Sequence, residues 1–354
     1  MHTEWSGFLK RVGAMMVQER VIHFGDPDRE LRAVMAGDSR CDLSYWGLIA
    51  VQGLDTDLFL QGQLTCDVRQ VTPDRSVLGA FCSPKGRVLT CCRLFRREET
   101  IYVELPQELL EPNLTRLRKY VLRAKVTLKD ASDDLVRFGV AGPHAATLLT
   151  RLLGIIPDVV GGVVHTTTDR PGITVIRLPG GVPHFELHGP CPEMQALWET
   201  LDGDTISTGV EPWRLLNILT GVPTIYPETV EAFVPQMINL QCLDGVSFQK
   251  GCYTGQEVVA RMRYLGKLKR RMYLAQVDSL NPPHPGDPLF SLQTDISQSA
   301  GRLVDVVRHP DGGYAVLAVA LIECAERGVL QLGDANGPML RVESPPYGFD
   351  AVSQ

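Results

Sequence analysis

The stretch Lys250-Gly-Cys-Tyr-Thr-Gly-Gln-Glu257 places one thiol between a lysine and a predicted helix start. Thr254 and Glu257 have the spacing of a capping box, in which each side chain accepts a hydrogen bond from the other residue's backbone N–H. Apolar residues then recur at helical spacing, and Gly266 supplies a stop signal. The pattern therefore predicts a helix over residues 255–265.

Cys252 stands just before the positive end of this predicted helix, with Lys250 and Arg261 as nearby cations. A helix N-terminus and neighbouring cations both favour thiolate over thiol. We therefore interpret Cys252 as a candidate reactive thiol that Lys250 activates, with Gln256 and Glu257 capping and orienting it. The alternative is that Cys252 is a small buried filler of the core.

The octapeptide resembles the signature of the YgfZ family of folate-binding proteins, a branch of the glycine-cleavage T-protein (aminomethyltransferase) superfamily. Other segments resemble further blocks of that family in the expected order, and the resemblance runs from about residue 48 to residue 277. These segments are 53–68, 83–87, 118–126, 141–143 and 233–240. Besides Lys250 and Cys252, the motif positions are Gly251, Tyr253, Gly255, Gln256, Glu257 and Arg261.

The periodicity of the chain predicts alternating helices and strands, which is typical of α+β folds. Predicted helices cover 59–64, 109–122, 145–153, 194–201 and a stretch framed by Pro212 and Gly221. Predicted strands cover 88–95, 101–105, 135–140, 173–178, 184–187 and 272–277, the last with Tyr273, Ala275 and Val277 on one face. Short strand-like runs after Lys269 predict a small all-β barrel.

The resemblance implies a T-protein-like layout of two α/β (ferredoxin-like) lobes around a central channel, plus a C-terminal small β-barrel. We accordingly expect an N-terminal extension over 1–37 and a first α/β lobe over 38–134. A second lobe with the signature covers 135–266, and the barrel covers 267–354. Exchange of segments between the lobes is left open.

The stretch Gly86-Arg-Val-Leu-Thr-Cys-Cys-Arg93 resembles the strand that carries an acidic pair in the T-protein. Thr90 and Cys91 stand at the two acidic positions. Neither is a carboxylate at neutral pH, so a general acid or base is missing there. We therefore expect no aminomethyl transfer, and we interpret the segment as a half-buried strand.

In much of the superfamily a glutamate on a helix holds the pterin ring of folate, because a carboxylate can accept two N–H bonds. The matching position here is Leu219, which cannot accept a hydrogen bond. The sequence therefore leaves two alternatives open: the protein binds tetrahydrofolate or a related folate, or it binds no folate. By resemblance, the candidate channel residues are Gln61, Gln63, Thr65, Asp67 and Tyr120, and the alternative for each is an ordinary surface or capping role.

The composition indicates a soluble cytoplasmic protein. The 354 residues carry a net charge of −6, which argues against a general nucleic-acid binder. The nine cysteines form no CxxC pair, which favours reduced thiols over a disulfide framework or a structural zinc site. We find no membrane-length apolar run and neither a signal nor a transit peptide pattern.

A basic run follows the signature, with six cations and no acid among residues 261–271. The six are Arg261, Arg263, Lys267, Lys269, Arg270 and Arg271. Such a run is suited to a polyglutamate tail, a tRNA backbone or an acidic partner. The alternative is a solvated basic surface, because Arg261 and Arg263 lie on different faces of a short helix.

We predict no metal site. His184 and His188 would stand about 13 Å apart on a strand, too far to share an ion. Cys242 and Cys252 alone cannot complete a four-ligand iron–sulfur cluster.

The resemblance implies an accessory protein that supports the assembly or repair of iron–sulfur enzymes and tRNA modification, with Cys252 as its reactive group. Expected partners are a folate-type small molecule and iron–sulfur enzymes or assembly factors, with only indirect tRNA contact and no membrane. Two alternatives remain: a folate-dependent one-carbon (aminomethyl) transferase, and a folate-independent RNA or protein adaptor.

Overall fold

The computed structural model describes residues 1–167, 170–264, 268–293 and 299–349, and these residues form two compact units. Unit 1 consists of Met1–Thr56, Arg69–Val77 and Arg93–Leu216. Unit 2 consists of Asp57–Val68, Leu78–Cys92 and Asn217–Gln354. Each unit is thus assembled from segments that are distant in the sequence. The domain bounds expected after residues 37, 134 and 266 stay a prediction.

The helices and strands alternate along most of the described chain. The helices are α1 (Thr3–Arg11), α2 (Pro27–Ala36), α3 (Thr56–Gln61), α4 (Gln107–Arg118), α5 (Ala145–Leu153), α6 (Cys191–Thr200), α7 (Val210–Leu219), α8 (Gln256–Tyr264) and α9 (Ile322–Glu326). The strands of the first half are β1 (Met15–Val17), β2 (Arg20–His23), β3 (Ser39–Asp42), β4 (Trp46–Gln52), β5 (Val77–Cys82), β6 (Val88–Arg97), β7 (Thr100–Pro106), β8 (Thr127–Asp130) and β9 (Val136–Ala141). Those of the second half are β10 (Val163–His165), β11 (Thr174–Arg177), β12 (His184–Gly189), β13 (Ile206–Thr208), β14 (Arg270–Val277), β15 (Pro288–Phe290), β16 (Gly301–Arg308), β17 (Tyr314–Leu321), β18 (Gln331–Leu332) and β19 (Leu340–Glu343).

Unit 1 contains a six-stranded sheet in the order β10-β11-β12-β9-β3-β13. The neighbours pair antiparallel except β13 and β3, which are parallel. Helices α5 and α6 pack against this sheet, so that the apolar residues of its strands are buried. The alternation of buried strands and amphipathic helices confirms the α+β class predicted from the sequence.

The first 37 residues form part of the core of unit 1. Helix α1 packs on α6, and Trp5 is fully buried. The Trp5 ring lies 5.2 Å from Phe8 and 5.6 Å from Trp198, measured between centroids. Its indole N–H donates to Asp42 Oδ1 at 2.7 Å, which satisfies the polar atom of a buried tryptophan. Burial of this ring explains the apolar positions of α1, a segment that the family resemblance did not reach.

Strands β7, β4 and β8 and the second half of β6 form another antiparallel sheet region of unit 1, on which α4 packs. The helix predicted over 109–122 was too long at its C-terminal end, because α4 ends at Arg118. Turns follow, and Leu122 has a φ of +45°, which is incompatible with a continuing helix. Leu122 is an exposed turn residue rather than part of an apolar helix face.

The C-terminal part of unit 2 is a curled antiparallel sheet in the order β18-β15-β16-β17-β14-β19. Tyr273, Ala275 and Val277 belong to its buried core, as their spacing on the predicted strand requires. A register shift between Leu303 and Asp305 marks a bulge, which increases the local twist of the sheet. None of the described helices has the length and hydropathy that crossing a bilayer would require.

A group of buried charged side chains lies within unit 1. Glu104 and Glu186 are each 4% exposed, and His188 is fully buried. His188 Nε2 lies 3.0 Å from Glu186 Oε1, and Arg93 Nε lies 3.9 Å from Glu186 Oε2. Burial and the neighbouring Glu186 raise the pKa of Glu104 well above its usual range. Burial would also raise the pKa of Glu186, but the hydrogen bond and charge of His188, the hydrogen bond with Glu104 and the charge of Arg93 together offset burial and lower the pKa.

These shifts indicate that Glu104 is protonated beside an ionised Glu186. A carboxyl group with a raised pKa in the folded state destabilises the fold once the pH exceeds its pKa in the unfolded state. The cost grows with pH until the pKa in the folded state is reached, and it amounts to about 1.4 kcal/mol for each unit by which folding raises the pKa. We therefore expect Glu104→Gln, which retains a donor toward Glu186, to stabilise the protein at pH 8 and to change its stability little at pH 4. Thermal unfolding of both proteins across this range measures the difference. A variant that is less stable at every pH would contradict the assignment.

Candidate functional site

The signature segment lies in unit 2, where it forms an irregular stretch followed by α8. The predicted helix over 255–265 is observed as Gln256–Tyr264, and residue 265 falls outside the described part of the chain. Gly255 has a φ of +84°, and a Cβ there would lie 2.5 Å from the Ser83 carbonyl oxygen and 2.9 Å from Gly86 Cα. Only glycine fits both restrictions. The signature is thus packed backbone to backbone against the 83–87 segment.

Lys250 is buried, with 6% of its surface exposed. Its Nζ donates to the backbone oxygens of Leu64 at 2.6 Å and Cys66 at 2.7 Å. The same ammonium lies 5.1 Å from the centroid of the Tyr253 ring, within cation–π distance. Lys250 therefore ties the start of the signature to the chain segment 64–66.

The charge of Lys250 acts on a different thiol from the one that the sequence analysis proposed. Burial raises the pKa of the Cys66 thiol to about 12, and the nearby Lys250 charge lowers it by less than burial raises it. The ammonium is directed at the 64–66 carbonyls because a buried cation requires oxygen acceptors. Activation of Cys252 by Lys250 stays a prediction. The contacts observed for Lys250 are its bonds to the Leu64 and Cys66 carbonyl oxygens, which anchor the loop.

Cys252 itself is exposed, so the alternative that it is a buried filler is wrong. All nine cysteines lie among the described residues; seven of the others are buried and Cys242 is half-buried. The neighbouring Gly251 faces open space at the position where a Cβ would project. Cys252 is therefore the thiol that a solute or partner reaches first.

The predicted capping residues make other contacts. Glu257 Oε1 accepts from Arg261 Nη2 at 2.5 Å, an ion pair one turn along α8, with both side chains exposed. Gln256 Nε2 lies 3.5 Å from the Gly251 carbonyl oxygen, so it reaches back to the residue before Cys252. The charge of Arg261 is thus shared with Glu257, and Gln256 is the motif residue that contacts the loop around the thiol.

The candidate channel residues of the 61–67 segment are held by hydrogen bonds within unit 2. Thr65 is fully buried, and its hydroxyl donates to the Gly245 oxygen at 2.6 Å and accepts from the Ala80 N–H at 2.9 Å. Gln61 donates to Asp67 Oδ1 at 2.9 Å and accepts from the Val68 N–H at 2.7 Å. These three side chains stabilise the segment that carries the acceptors for Lys250.

Gln63 and Tyr120 differ from the other channel candidates. The Oε1 atom of Gln63 is buried without a hydrogen-bond partner among the described residues, which leaves one acceptor available. Tyr120 belongs to unit 1, follows the end of α4 and is 37% exposed. Of the five channel candidates, Gln63 is the one with a buried side-chain acceptor that has no partner among the described residues.

The positions at which the resemblance implies the acidic pair contain no carboxylate. Thr90, Cys91 and Cys92 are all buried on β6, more deeply than the half-buried strand that we expected. The Thr90 hydroxyl donates to the Cys91 carbonyl oxygen at 3.0 Å. Burial raises the pKa of the Cys91 and Cys92 thiols well above the ordinary value, so neither can act as a base at neutral pH. Leu219 is half-buried at the end of α7.

The described cations of the basic run make different local contacts, although Arg263 and Arg271 line one cavity. Arg263 lies over the Phe248 ring and Arg271 over the Phe349 ring. Arg270 donates to the Ser299 carbonyl oxygen at 2.8 Å, while Lys267 lies outside the described residues. The described members therefore engage in separate local contacts.

Two groups of potential metal ligands were missed by the sequence analysis, which considered only histidine and cysteine pairs. Their ligand atoms lie within 4.8 Å of one another in each group. The groups are His2 with Glu4 and Cys191, and Glu104 with Glu186 and His188. The alternation of Glu186 and His188 on one face of β12 was a usable signal, but Glu104 comes from β7. The charges of Arg137 and Arg93 partly oppose the rise in the pKa of Glu104, so positive charge lies near the second group without an ion.

Comparison with known proteins identifies a matching family model and similar curated proteins. The family model of the GCVT N-terminal domain matches residues 9–215. The tRNA-modifying protein YgfZ of Klebsiella pneumoniae (strain 342) is 33% identical over 308 residues, covering 87% of this chain and 92% of the relative. The tRNA-modifying protein YgfZ of Escherichia coli O45:K1 (strain S88) is 32% identical over 308 residues, covering 87% of this chain and 93% of the relative.

Among solved structures, the glycine cleavage system aminomethyltransferase T of Bartonella henselae superposes with a TM-score of 0.72. The match covers 96% of both chains at 16% sequence identity. This likeness confirms the T-protein-like fold and, at that identity, concerns the fold alone.

Replacement of Lys250 by methionine would leave the Leu64 and Cys66 carbonyl groups without their donor. An unsatisfied buried polar group costs about 1–3 kcal/mol, so we expect a lower free energy of unfolding and a more mobile signature loop. Urea unfolding and hydrogen exchange of residues 64–66 measure the two effects. Lys269→Met, which removes an exposed cation from the same unit, is the matched control. Equal stability of the two variants would contradict the anchoring role of Lys250.

Proposed function

This chain belongs to the YgfZ family of tRNA-modifying proteins, and from that premise we propose that it is an accessory protein that supports iron–sulfur enzymes, including those that modify tRNA. Its reactive group is Cys252, and it performs no aminomethyl transfer. Cys252 acts through thiol chemistry or transient metal contact with a client enzyme or assembly factor. A folate-type ligand bound by the T-protein-like fold is the second part of the proposal.

The observation that carries the proposal is the exposure of Cys252 on an anchored loop. Lys250 holds the loop on one side of the thiol, and the Gly255–Gly86 contact holds it on the other. A thiol that is both accessible and fixed in position is suited to attack or to ligation, because little conformational freedom is lost when it binds. The eight remaining cysteines lack this combination.

The absence of transferase chemistry is supported by the residues of β6. A carboxylate at the position of Thr90 or Cys91 would be needed to orient a reacting amine, and both side chains are instead buried and uncharged. The T-protein-like fold is therefore retained here without the acid–base group on which the transfer depends.

Folate binding is supported by the fold class and by one available acceptor. Leu219 cannot accept a bond from a pterin, and Gln61, Thr65 and Asp67 are engaged with their own unit. Gln63 Oε1 is a buried acceptor without a partner among the described residues, and a ligand N–H would relieve its unsatisfied state. We assign Gln63 to the pterin edge.

The thiol part of the proposal is tested by Cys252→Ala in cells whose own copy is replaced by the variant. We expect the level of a tRNA modification made by an iron–sulfur enzyme to fall at least tenfold, while the purified variant unfolds at the same temperature as the natural protein. Cys242→Ala, at a half-buried thiol of the same unit, is the control and should retain the modification. Full activity of the Cys252 variant would refute the role of the thiol. Loss of folding would show that Cys252 is structural.

The folate part is tested separately by calorimetric titration of tetrahydrofolate into the reduced natural protein, Gln63→Leu and Leu219→Glu. We expect the natural protein to bind, Gln63→Leu to bind at least tenfold more weakly, and Leu219→Glu to bind more tightly. Binding by Leu219→Glu alone would overturn the folate assignment and favour a folate-independent adaptor.

A further inference from the structure

A histidine, a glutamate and a cysteine converge where two helices of unit 1 begin. His2 caps α1, Glu4 lies in the first turn of α1, and Cys191 is the first residue of α6. One potential ligand atom of each side chain, a ring nitrogen, a carboxylate oxygen and the sulfur, lies within 4.8 Å of the other two. The packing of α1 on α6 brings these atoms together. Neither Cys252 nor the folate candidates belong to this group.

The combination of nitrogen, sulfur and carboxylate oxygen is a donor set that favours zinc. Zinc accepts imidazole, thiolate and carboxylate ligands at about 2.0–2.3 Å, and its structural sites are almost always tetrahedral. Ligand atoms around such an ion lie roughly 3–4 Å from one another. Calcium and magnesium, in contrast, select oxygen ligands. Separations within 4.8 Å therefore require only a small closure of the three side chains around a zinc ion.

Among the described residues, the charges that act on the Cys191 thiol are all negative. Burial raises the pKa of this thiol, the carboxylates of Glu4 and Glu193 raise it further, and a hydrogen bond from Gln195 lowers it. The Oε2 atom of Glu193 is also buried without a hydrogen-bond partner in the described part of the chain. A divalent cation at this place would balance the carboxylates and favour the thiolate form that binds metal.

The present contacts of the three side chains are compatible with metal binding. The His2 ring accepts from the Trp5 N–H at 3.5 Å, which is too long for a strong hydrogen bond, so little is lost when the ring binds a metal instead. Gln195 Nε2 donates to Cys191 Sγ at 3.3 Å, a bond that a metal-bound sulfur can keep and that orients the ligand. Because Glu4 is exposed, an ion can reach the group from solvent.

We propose that His2, Glu4 and Cys191 bind one zinc ion, which joins the start of α1 to the start of α6. The ion holds α1 on unit 1 in addition to the burial of Trp5. This zinc site is independent of the reactivity of Cys252 and of folate binding, so its failure would leave the proposed function unaffected.

The experiment is titration of Zn²⁺ into the metal-free, reduced, full-length protein in competition with a chromophoric chelator. We expect one equivalent to bind, and we expect Cys191→Ser and Glu4→Gln each to weaken binding at least tenfold. Because Glu4 is exposed, Glu4→Gln tests the site even if the cysteine variant fails to fold. Cys252→Ser removes the exposed thiol of unit 2 and should change the affinity less than twofold.

The histidine is tested by His2→Asn, because asparagine remains a good helix cap while the ring nitrogen is removed. We expect this variant to bind Zn²⁺ at least tenfold more weakly. The matched control is His23→Asn, which replaces a histidine of the same unit whose ring accepts from the Gly25 N–H. It should bind Zn²⁺ like the natural protein.

A second readout identifies the sulfur ligand directly. Co²⁺ bound in place of Zn²⁺ gives a thiolate-to-metal charge-transfer absorption, which we expect from the natural protein and Cys252→Ser but not from Cys191→Ser. Zn²⁺ should also slow hydrogen exchange of α1 in the natural protein and not in Glu4→Gln. Three results would overturn the proposal: equal Zn²⁺ affinity of the natural protein and Glu4→Gln, loss of binding in Cys252→Ser, or a charge-transfer band that survives in Cys191→Ser.

Discussion

The hydrogen bonds from the Lys250 ammonium to the Leu64 and Cys66 carbonyl groups are the contact on which the signature region depends. A buried ammonium is tolerated only where oxygen atoms replace its hydration. The 61–68 segment provides them and is itself held in place by side-chain hydrogen bonds, with Thr65 bonded to Gly245 and Gln61 bonded to Asp67. One cation therefore joins two segments that are 184 residues or more apart in sequence.

The buried bonds of Lys250 give it a different environment from that of Cys252, its near neighbour in sequence. Lys250 and Cys252 are two positions apart, yet the first is buried and the second exposed. The glycine at 255 lets the chain approach Ser83 and Gly86 before α8 begins. A loop that is fixed at both ends can present a thiol to a partner without a change in the core, and this is what the proposed role of Cys252 requires.

The charged groups of the two units are arranged by different principles. In unit 1, Glu104, Glu186 and His188 are buried together, so the pKa of each carboxyl moves in the direction that reduces buried charge or pairs it. In unit 2, Arg263 and Arg271 lie over aromatic rings, and both line one cavity. Buried charge is thus balanced by ion pairs and hydrogen bonds in unit 1, whereas these two arginines of unit 2 contact aromatic rings.

Residue types and local spacing were enough to predict the family, the α+β class and helix α5 at its observed bounds, and they show non-acidic residues at positions 90, 91 and 219, where the resemblance implies carboxylates. These features depend on residue type and local spacing, which the chain carries directly. Tertiary structure decided that Lys250 binds the 64–66 carbonyls, that eight thiols are partly or fully buried while Cys252 is exposed, and that Glu104 joins Glu186. No local pattern encodes these pairings, because burial and hydrogen-bond partners are set by segments that meet only when the chain folds.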